Sequence, residues 1–319
     1  MPGAGSPRYA AAIVNHGSYD DLEACLASVA AQRVAPVAVL VVDTGVDPAR
    51  LDALARAHPD VAFERRPNRG WGAGVNRLLA RIAERHPDAE FALVLNPDIE
   101  LDADFAALLL DALSADPRVA IASGKLLRPG RTVIDSAGIR LPRHRRPRDR
   151  GSNELDRGQY DRRELVFGVS GAAMLLRRAA LADLAVSGEI VDEDFFAYQD
   201  DTDLCWRANR LGWRVLYEPR ATGVHGRRWR RERRMQIEPW VRRHSFKNHY
   251  LQILKNERGA DLVRNLPWLL AWEILRLGFA LLRDREILAA YREAWRGAPR
   301  ALAKRRAIEA RRRELAARG

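Results

Sequence analysis

The sequence predicts an α/β protein with a mostly parallel central sheet flanked by helices and a C-terminal helical extension. Strand-like and helix-like stretches alternate through the first half of the chain, and the strands are apolar on both faces, as in sheets covered by helices on both sides. Beyond Arg227 the composition changes to helical sequence rich in arginine and tryptophan. The body is therefore placed at residues 1–226 and the extension at 227–319.

Residues 10–14 (Ala-Ala-Ala-Ile-Val) read as a buried strand. Asp20 and Asp21 then cap a helix whose Leu22, Cys25, Leu26 and Val29 recur at helical spacing. Val37 to Val42 is a second strand, uninterrupted by any polar residue. A helix at about 48–57 and a short strand at 61–65 follow. Next come a helix at about 73–85, with Val75, Leu78, Leu79 and Ile82 on one face, and the strand Phe91 to Leu95. From about 140 to 163 the pattern dissolves into a basic loop, read as solvated or as a mobile cover over a substrate. Order resumes at Val166 to Arg177, followed by a helix from about Thr202 to Leu211 and the strand Trp213 to Tyr217. No repeat of solenoid length is visible.

The chain has 319 residues, 54 Lys and Arg against 42 Asp and Glu, and a net charge of +12. Only four of the cations are lysines: Lys125, Lys247, Lys255 and Lys304. Such a balance points to an anionic partner: nucleic acid, anionic lipid or a diphosphate substrate. The two cysteines, Cys25 and Cys205, are far apart and make no CxxC, which excludes a zinc site or a disulfide framework and suits a reducing compartment. The Gly- and Pro-rich start from Met1 to Arg8 does not read as a signal, so a cytoplasmic location is expected. Leu266 to Leu282 is the longest apolar stretch but carries Pro267, Glu273 and Arg276. That is costly for a spanning helix, and the segment reads as lying on a membrane or packed on the body.

In parallel sheets, ligands bind at the carboxyl ends of the strands. The polar residues at those ends are Asn15, Asp43, Asn96 and Asp98. A carboxylate at such a tip suits Mg²⁺ or Mn²⁺ bridging two phosphates, although Asn96-Pro97-Asp98 is also a common turn sequence. Asp200, Asp201 and Asp203 crowd the start of a helix; capping explains one of them, and clustered carboxyls suit a general base near a bound cation. His225 follows the strand Trp213 to Tyr217 across a short connection containing proline, where its imidazole is able to join a metal's shell. The run Asn68 to Asn76 fails as a dinucleotide fingerprint because it does not follow the first strand, yet a glycine-rich turn entering a helix still admits a nucleotide. No P-loop, G-x-S-x-G or H-E-x-x-H occurs.

Together these residues resemble family 2 glycosyltransferases of the GT-A fold, in particular a bacterial rhamnosyltransferase-like branch. The resemblance runs from about Tyr9 to His225 and is carried by an ordered set: Ile13-Val14-Asn15-His16-Gly17, Asp43, Asn68 to Asn76, Leu95-Asn96-Pro97-Asp98, Gly171 to Arg177 and Asp192 to Arg207. It implies that Val14, Asn15, Asp43, Asn68, Gly70, Trp71, Asn76 and Asn96 serve the donor nucleotide. It further implies that Asp98 and His225 hold the divalent metal, Mg²⁺ or Mn²⁺, that Asp201 is the catalytic base with Asp200 beside it, and that Gly171, Asp203 and Arg227 face the acceptor. Three departures stand out. The stretch after strand two, Asp43-Thr44-Gly45-Val46-Asp47, is one residue shorter than the family's; Asp200 replaces a glutamate; and the Gly-x-Ser after the histidine is lost to Gly226-Arg227-Arg228.

The implied reaction is an inverting, metal-dependent transfer of a sugar from a nucleotide-sugar donor. L-rhamnose from dTDP-rhamnose is favoured, with UDP-linked galactofuranose or hexosamine behind it. A glycan or polyprenyl-diphosphate-linked acceptor of cell-envelope polysaccharide is expected. The basic, aromatic C-terminal helices suit an anionic membrane surface at the cytoplasmic face of the inner membrane, or packing on the body or in a homo-oligomer interface. A nucleic-acid binder lacks any motif to accompany its arginines. A sugar nucleotidyltransferase would carry a glycine-rich basic loop where Asn15-His16-Gly17-Ser18 stands.

Overall fold

The computed structural model describes residues 7–226 and 237–318. Its first half runs β1 (Tyr9–Asn15), α1 (Tyr19–Ala30), β2 (Val39–Asp43), α2 (Pro48–Ala57), β3 (Val61–Arg65), α3 (Trp71–Arg85) and β4 (Phe91–Leu95). Then follow β5 (Ile99–Leu101), α4 (Phe105–Ala115), β6 (Val119–Leu127), β7 (Ile134–Ser136), β8 (Ile139–Arg140), β9 (Arg148–Asp149), β10 (Glu164–Leu165), β11 (Ala173–Arg177) and α5 (Arg178–Leu184). The remainder is α6 (Asp200–Arg210), β12 (Arg214–His225), α7 (Pro239–Asn256), α8 (Gly259–Arg283) and α9 (Ala289–Arg318).

The main sheet has the order β10-β12-β6-β11-β4-β1-β2-β3. The first four strands form the expected parallel core, with Asn15 beside Asp43 in register. The sheet as a whole is mixed, because β11 runs antiparallel to both β4 and β6. That reversal matters: the entrance of β11 lies at the carboxyl edge of β4, where the Asn96 amide donates to the Ala172 carbonyl at 2.9 Å. Alternation along β1 feeds two cores. Tyr9, Ala11 and Ile13 pack with α1, α2 and α4, whereas Ala10, Ala12 and Val14 pack with α3, α5 and α6.

Several expected boundaries shift. Ser18 rather than Asp20 or Asp21 precedes α1, and the two aspartates sit in its first turn, where they meet the positive end of the helix. α3 begins at Trp71 and α6 at Asp200, each two residues before the expected start. The connection expected before His225 is absent, since β12 continues through Pro219 as one strand with an irregular register between Glu218 and Thr222. The basic loop is likewise partly ordered, with β8 and β9 pairing inside it.

The C-terminal helices divide by burial. α7 and α9 lie on the body, and Ile308 of α9 is fully buried in the core beneath β1 and α3. α8 is long and apolar enough by length and composition to cross a membrane, yet only 17% of its apolar window is buried. Its inward face carries Glu273, which accepts hydrogen bonds from Tyr250 and Tyr291, and Arg276, which stacks on Phe246. Leu266, Leu270, Ile274, Leu275 and Leu282 are exposed.

Candidate active site

A cavity of about 530 Å³ opens at the carboxyl edge of the parallel strands. Asn96 and Asp98 reach it from the turn after β4, His225 from the end of β12, and Ser170 and Gly171 from the entrance of β11. Asp200 and Asp201 come from the start of α6, and Trp71 from the start of α3. Five chain segments far apart in sequence thus meet because parallel strands end together and β11 starts there.

β12 pairs with β5 so that His225 lies opposite Ile99, and the Gly226 amide donates to the Asp98 carbonyl at 2.7 Å. This puts His225 Nε2 3.4 Å from Asp98 Oδ1. The other ring nitrogen, Nδ1, lies 2.8 Å from Asp135 Oδ2, a buried carboxylate on β7. Burial alone would discharge the imidazole, but hydrogen bonds to Asp135 and Asp98 outweigh it and push the pKa up to about 9. Burial would raise Asp98, and the His225 imidazolium reverses this and holds it below the ordinary carboxylate range. A half-buried carboxylate and an imidazole oriented from behind by a second carboxylate form a donor set that fits a hard divalent cation. Among the described residues no group of three or more His, Cys, Asp or Glu is arranged around a metal position. The remaining coordination positions would fall to substrate oxygens and water.

At the start of α6, Asp201 Oδ2 accepts from the Gly171 amide at 2.9 Å and Oδ1 from the Thr202 amide at 2.7 Å. Two backbone donors therefore fix the carboxylate's orientation. A Cβ at Gly171 would stand 3.2 Å from both Asp201 Cβ and Trp71 Cη2, so the missing side chain lets the three approach. Asp200 is buried and its Oδ1 has no hydrogen-bond partner. Burial first, and then the neighbouring Asp201 charge, push its pKa well above the usual range.

Other expected residues sit elsewhere. Asn15 donates to Asp43 Oδ1 at 2.6 Å, and Tyr19 donates to Asp43 Oδ2 at 3.3 Å, so this pair is buried and engaged at the strand ends beyond the cavity wall. Val14 is packed in the core against α3. Asn68 accepts from the Gly70 amide at 3.0 Å, closing the turn into α3. Gly70 has φ +92°, and a Cβ there would fall 2.2 Å from the Phe196 carbonyl oxygen. Asn76 donates to the Val191 carbonyl at 2.8 Å and accepts from the Ile190 and Val191 amides, tying α3 to the chain before the acidic cluster. Asp203 points away from the cavity into a buried bond with Lys255 at 2.7 Å. Arg227 lies outside the described residues.

Residues that sequence reasoning missed complete the site. Asp135, the partner of His225, carries no local signal. Arg146, Arg148 and Asp149 from the β8–β9 hairpin line the cavity, as do Tyr198 and Gln199. Arg242, Ser245 and Phe246 of α7 line it too, so the extension shares the site with the body.

Residues 11–184 match the sequence profile of Glycosyl transferase family 2. The chain is 32% identical over 223 residues to an N-acetylglucosaminyl-diphospho-decaprenol L-rhamnosyltransferase of Mycobacterium tuberculosis, a match covering 64% of this chain and 71% of that protein. Its fold resembles that of GalNAc-T7, solved with UDP, GalNAc and Mn²⁺, with a TM-score of 0.58 at 12% identity over 78% of this chain and 48% of that one. A mannosyltransferase of Pyrobaculum calidifontis, solved with GDP-mannose and Mn²⁺, superposes with a TM-score of 0.52 at 17% identity over 92% of this chain and 75% of that one. The profile spans more than half of the sequence, and of the residues that carried the resemblance Trp71, Asn96, Asp98, Gly171, Asp200, Asp201 and His225 line one cavity. On those grounds this chain belongs to glycosyltransferase family 2.

Proposed function

We propose that the protein transfers L-rhamnose from dTDP-rhamnose to a polyprenyl-diphosphate-linked glycan acceptor, with inversion at the anomeric carbon, in cell-envelope polysaccharide synthesis. The observation that carries this reading is the 32% identity to the N-acetylglucosaminyl-diphospho-decaprenol L-rhamnosyltransferase.

The chain's own groups support a single displacement. Asp201, oriented by the Gly171 and Thr202 amides, takes the proton of the acceptor hydroxyl as its oxygen attacks the anomeric carbon. The bond to the nucleoside diphosphate breaks in the same step, through a transition state with oxocarbenium character. Asp98 and His225, which line the same cavity, would hold Mg²⁺ or Mn²⁺, which when bound would neutralise charge on the departing diphosphate. Trp71 and Gly171 line the same cavity.

The acceptor's lipid would place the enzyme at a membrane. α8 supports this: its charged residues Glu273 and Arg276 turn inward, and its outer face is a continuous apolar surface. Arg264 and Arg283 of α8 and Arg285 just after it are exposed, as suits an in-plane helix on anionic lipid at the cytoplasmic face of the membrane.

Asp201→Asn keeps the size of the side chain and removes the base. Transfer should fall by about 10²–10⁴-fold while dTDP affinity is preserved, as measured by sugar transfer and calorimetry. Turnover near the wild-type rate would overturn the assignment. Thermal unfolding with dTDP or UDP, with and without Mn²⁺, selects the donor's base, because a ligand at about 100 times its Kd adds roughly 2.7 kcal/mol of stability.

A further inference from the structure

The turn that delivers Asp200 and Asp201 has an uncommon backbone. Phe196, Tyr198 and Gln199 have φ of 66°, 71° and 67°, three non-glycine residues in four positions. Such conformations are sparsely populated and persist only where the surroundings over-determine them.

Here the surroundings are α7. Asn248, fully buried, directs its side-chain amide at three carbonyls of the turn: Phe195 at 3.0 Å, Ala197 at 2.8 Å and Tyr198 at 2.8 Å. Gln252 donates to Gln199 Oε1 at 2.6 Å, and the Gln199 amide donates to the Ser245 carbonyl at 2.9 Å. Lys247 donates to the Asp194 carbonyl at 2.7 Å. The two ends of the segment are pinned as well. Lys255 bridges Asp192 and Asp203, and Asn256 donates to Asp203 Oδ1 at 2.6 Å. From α9, Lys304 reaches Glu189 at 2.9 Å and Asp192 at 2.6 Å. Burial would raise the Asp192 carboxyl, but the two ammonium groups hold it well below the usual range.

Positions 245, 248, 252, 255 and 256 share one helix face. That face is buried, where an amphipathic helix ordinarily sets apolar residues. An apolar stripe would pack α7 on the body equally well, but it would leave the turn's carbonyls without partners.

We infer that Asn248 is a positioning residue for transfer: from the C-terminal extension it fixes the turn Phe195–Tyr198 and thereby sets where Asp201 stands, with Lys255 and Lys304 holding the ends of the same segment. The inference rests on Asp201 as the base. A displacement of about 1 Å at a reacting group is enough to cost about 10²-fold in rate.

The test uses the full chain with dTDP-rhamnose and a farnesyl-diphosphate-linked N-acetylglucosamine as acceptor. Asn248→Ala should lower kcat about 10- to 100-fold while dTDP affinity stays within twofold. A kcat within twofold of wild type, or a loss of dTDP affinity equal to the loss of kcat, overturns the inference. Lys304→Met and Lys304→Arg give a second route should Asn248→Ala fail to fold. The methionine variant should lose kcat and the arginine variant should recover most of it; equal rates in the two overturn the inference. Asp201→Asn, assayed alongside, separates the two readings. If it retains turnover, the base assignment fails; if it is inactive while Asn248→Ala is not, only the positioning role fails.

Discussion

Asp200 and Asp201 are adjacent carboxyls that the start of α6 treats differently. Asp201 accepts two backbone amides, whereas Asp200 is sealed in with one oxygen unpartnered. Because burial raises the folded-state pKa of Asp200 above its unfolded value, the unfolded chain ionises first as pH rises, and the native state loses stability relative to it. Asp200→Asn removes that penalty. We expect a higher Tm than wild type at pH 7, a gain that shrinks as the pH falls to about 4 and below, where the unfolded aspartate also becomes protonated; an equal gain at pH 7 and at low pH would refute the cause. Residue identity made the acidic cluster legible in the sequence, since three carboxyls in four positions exceed what capping requires. It did not reveal that Asp203 turns away to Lys255, because a buried ion pair 52 residues apart in sequence leaves no local pattern.

At the scale of elements, β1 to β4 were legible because continuous apolar runs have few alternatives, and the polar residues after them lie at the sheet edge as expected, whereas β6 was not anticipated. The start of α3 was less so, since Trp71 and Gly72 break the apolar periodicity while continuing the helix. Gly70 shows why: only a residue without Cβ allows the Trp71 amide to reach the Phe196 carbonyl at 2.9 Å. Gly70→Ala should destabilise by about 1–3 kcal/mol from the backbone alone. Since its new methyl group displaces the Phe196 turn, transfer should fall too; chemical denaturation and a transfer assay measure the two effects. α7 was the least legible element. Its Asn, Gln and Lys positions carry no apolar periodicity, and only the tertiary structure shows that Asn248 and Gln252 are buried against the turn at Phe195 to Gln199.

For the whole molecule, the body and the extension are joined at the cavity, and α8 is left with an apolar exterior. The sequence left membrane contact and packing on the body as alternatives for the C-terminal helices; α7 and α9 pack on the body, and α8 keeps an exposed apolar face. Leu275 is 65% and Leu282 83% exposed, so changing them leaves the core intact. Leu275→Glu with Leu282→Glu should weaken co-sedimentation with anionic liposomes at least about tenfold, each buried leucine contributing roughly 1.5–3 kcal/mol, with Tm unchanged. Undiminished binding would place the membrane contact elsewhere. The chain's lysine usage has a further consequence. Lys125, Lys247, Lys255 and Lys304 are all less than a tenth exposed, so the cationic surface of this molecule is guanidinium alone. Amine-directed acylating reagents and a lysine-specific protease would find no side chain to attack on the native body. Cleavage by such a protease would thus act as a clock for opening of the fold, with bonds after Lys247, Lys255 and Lys304 becoming available when the C-terminal helices leave the active site.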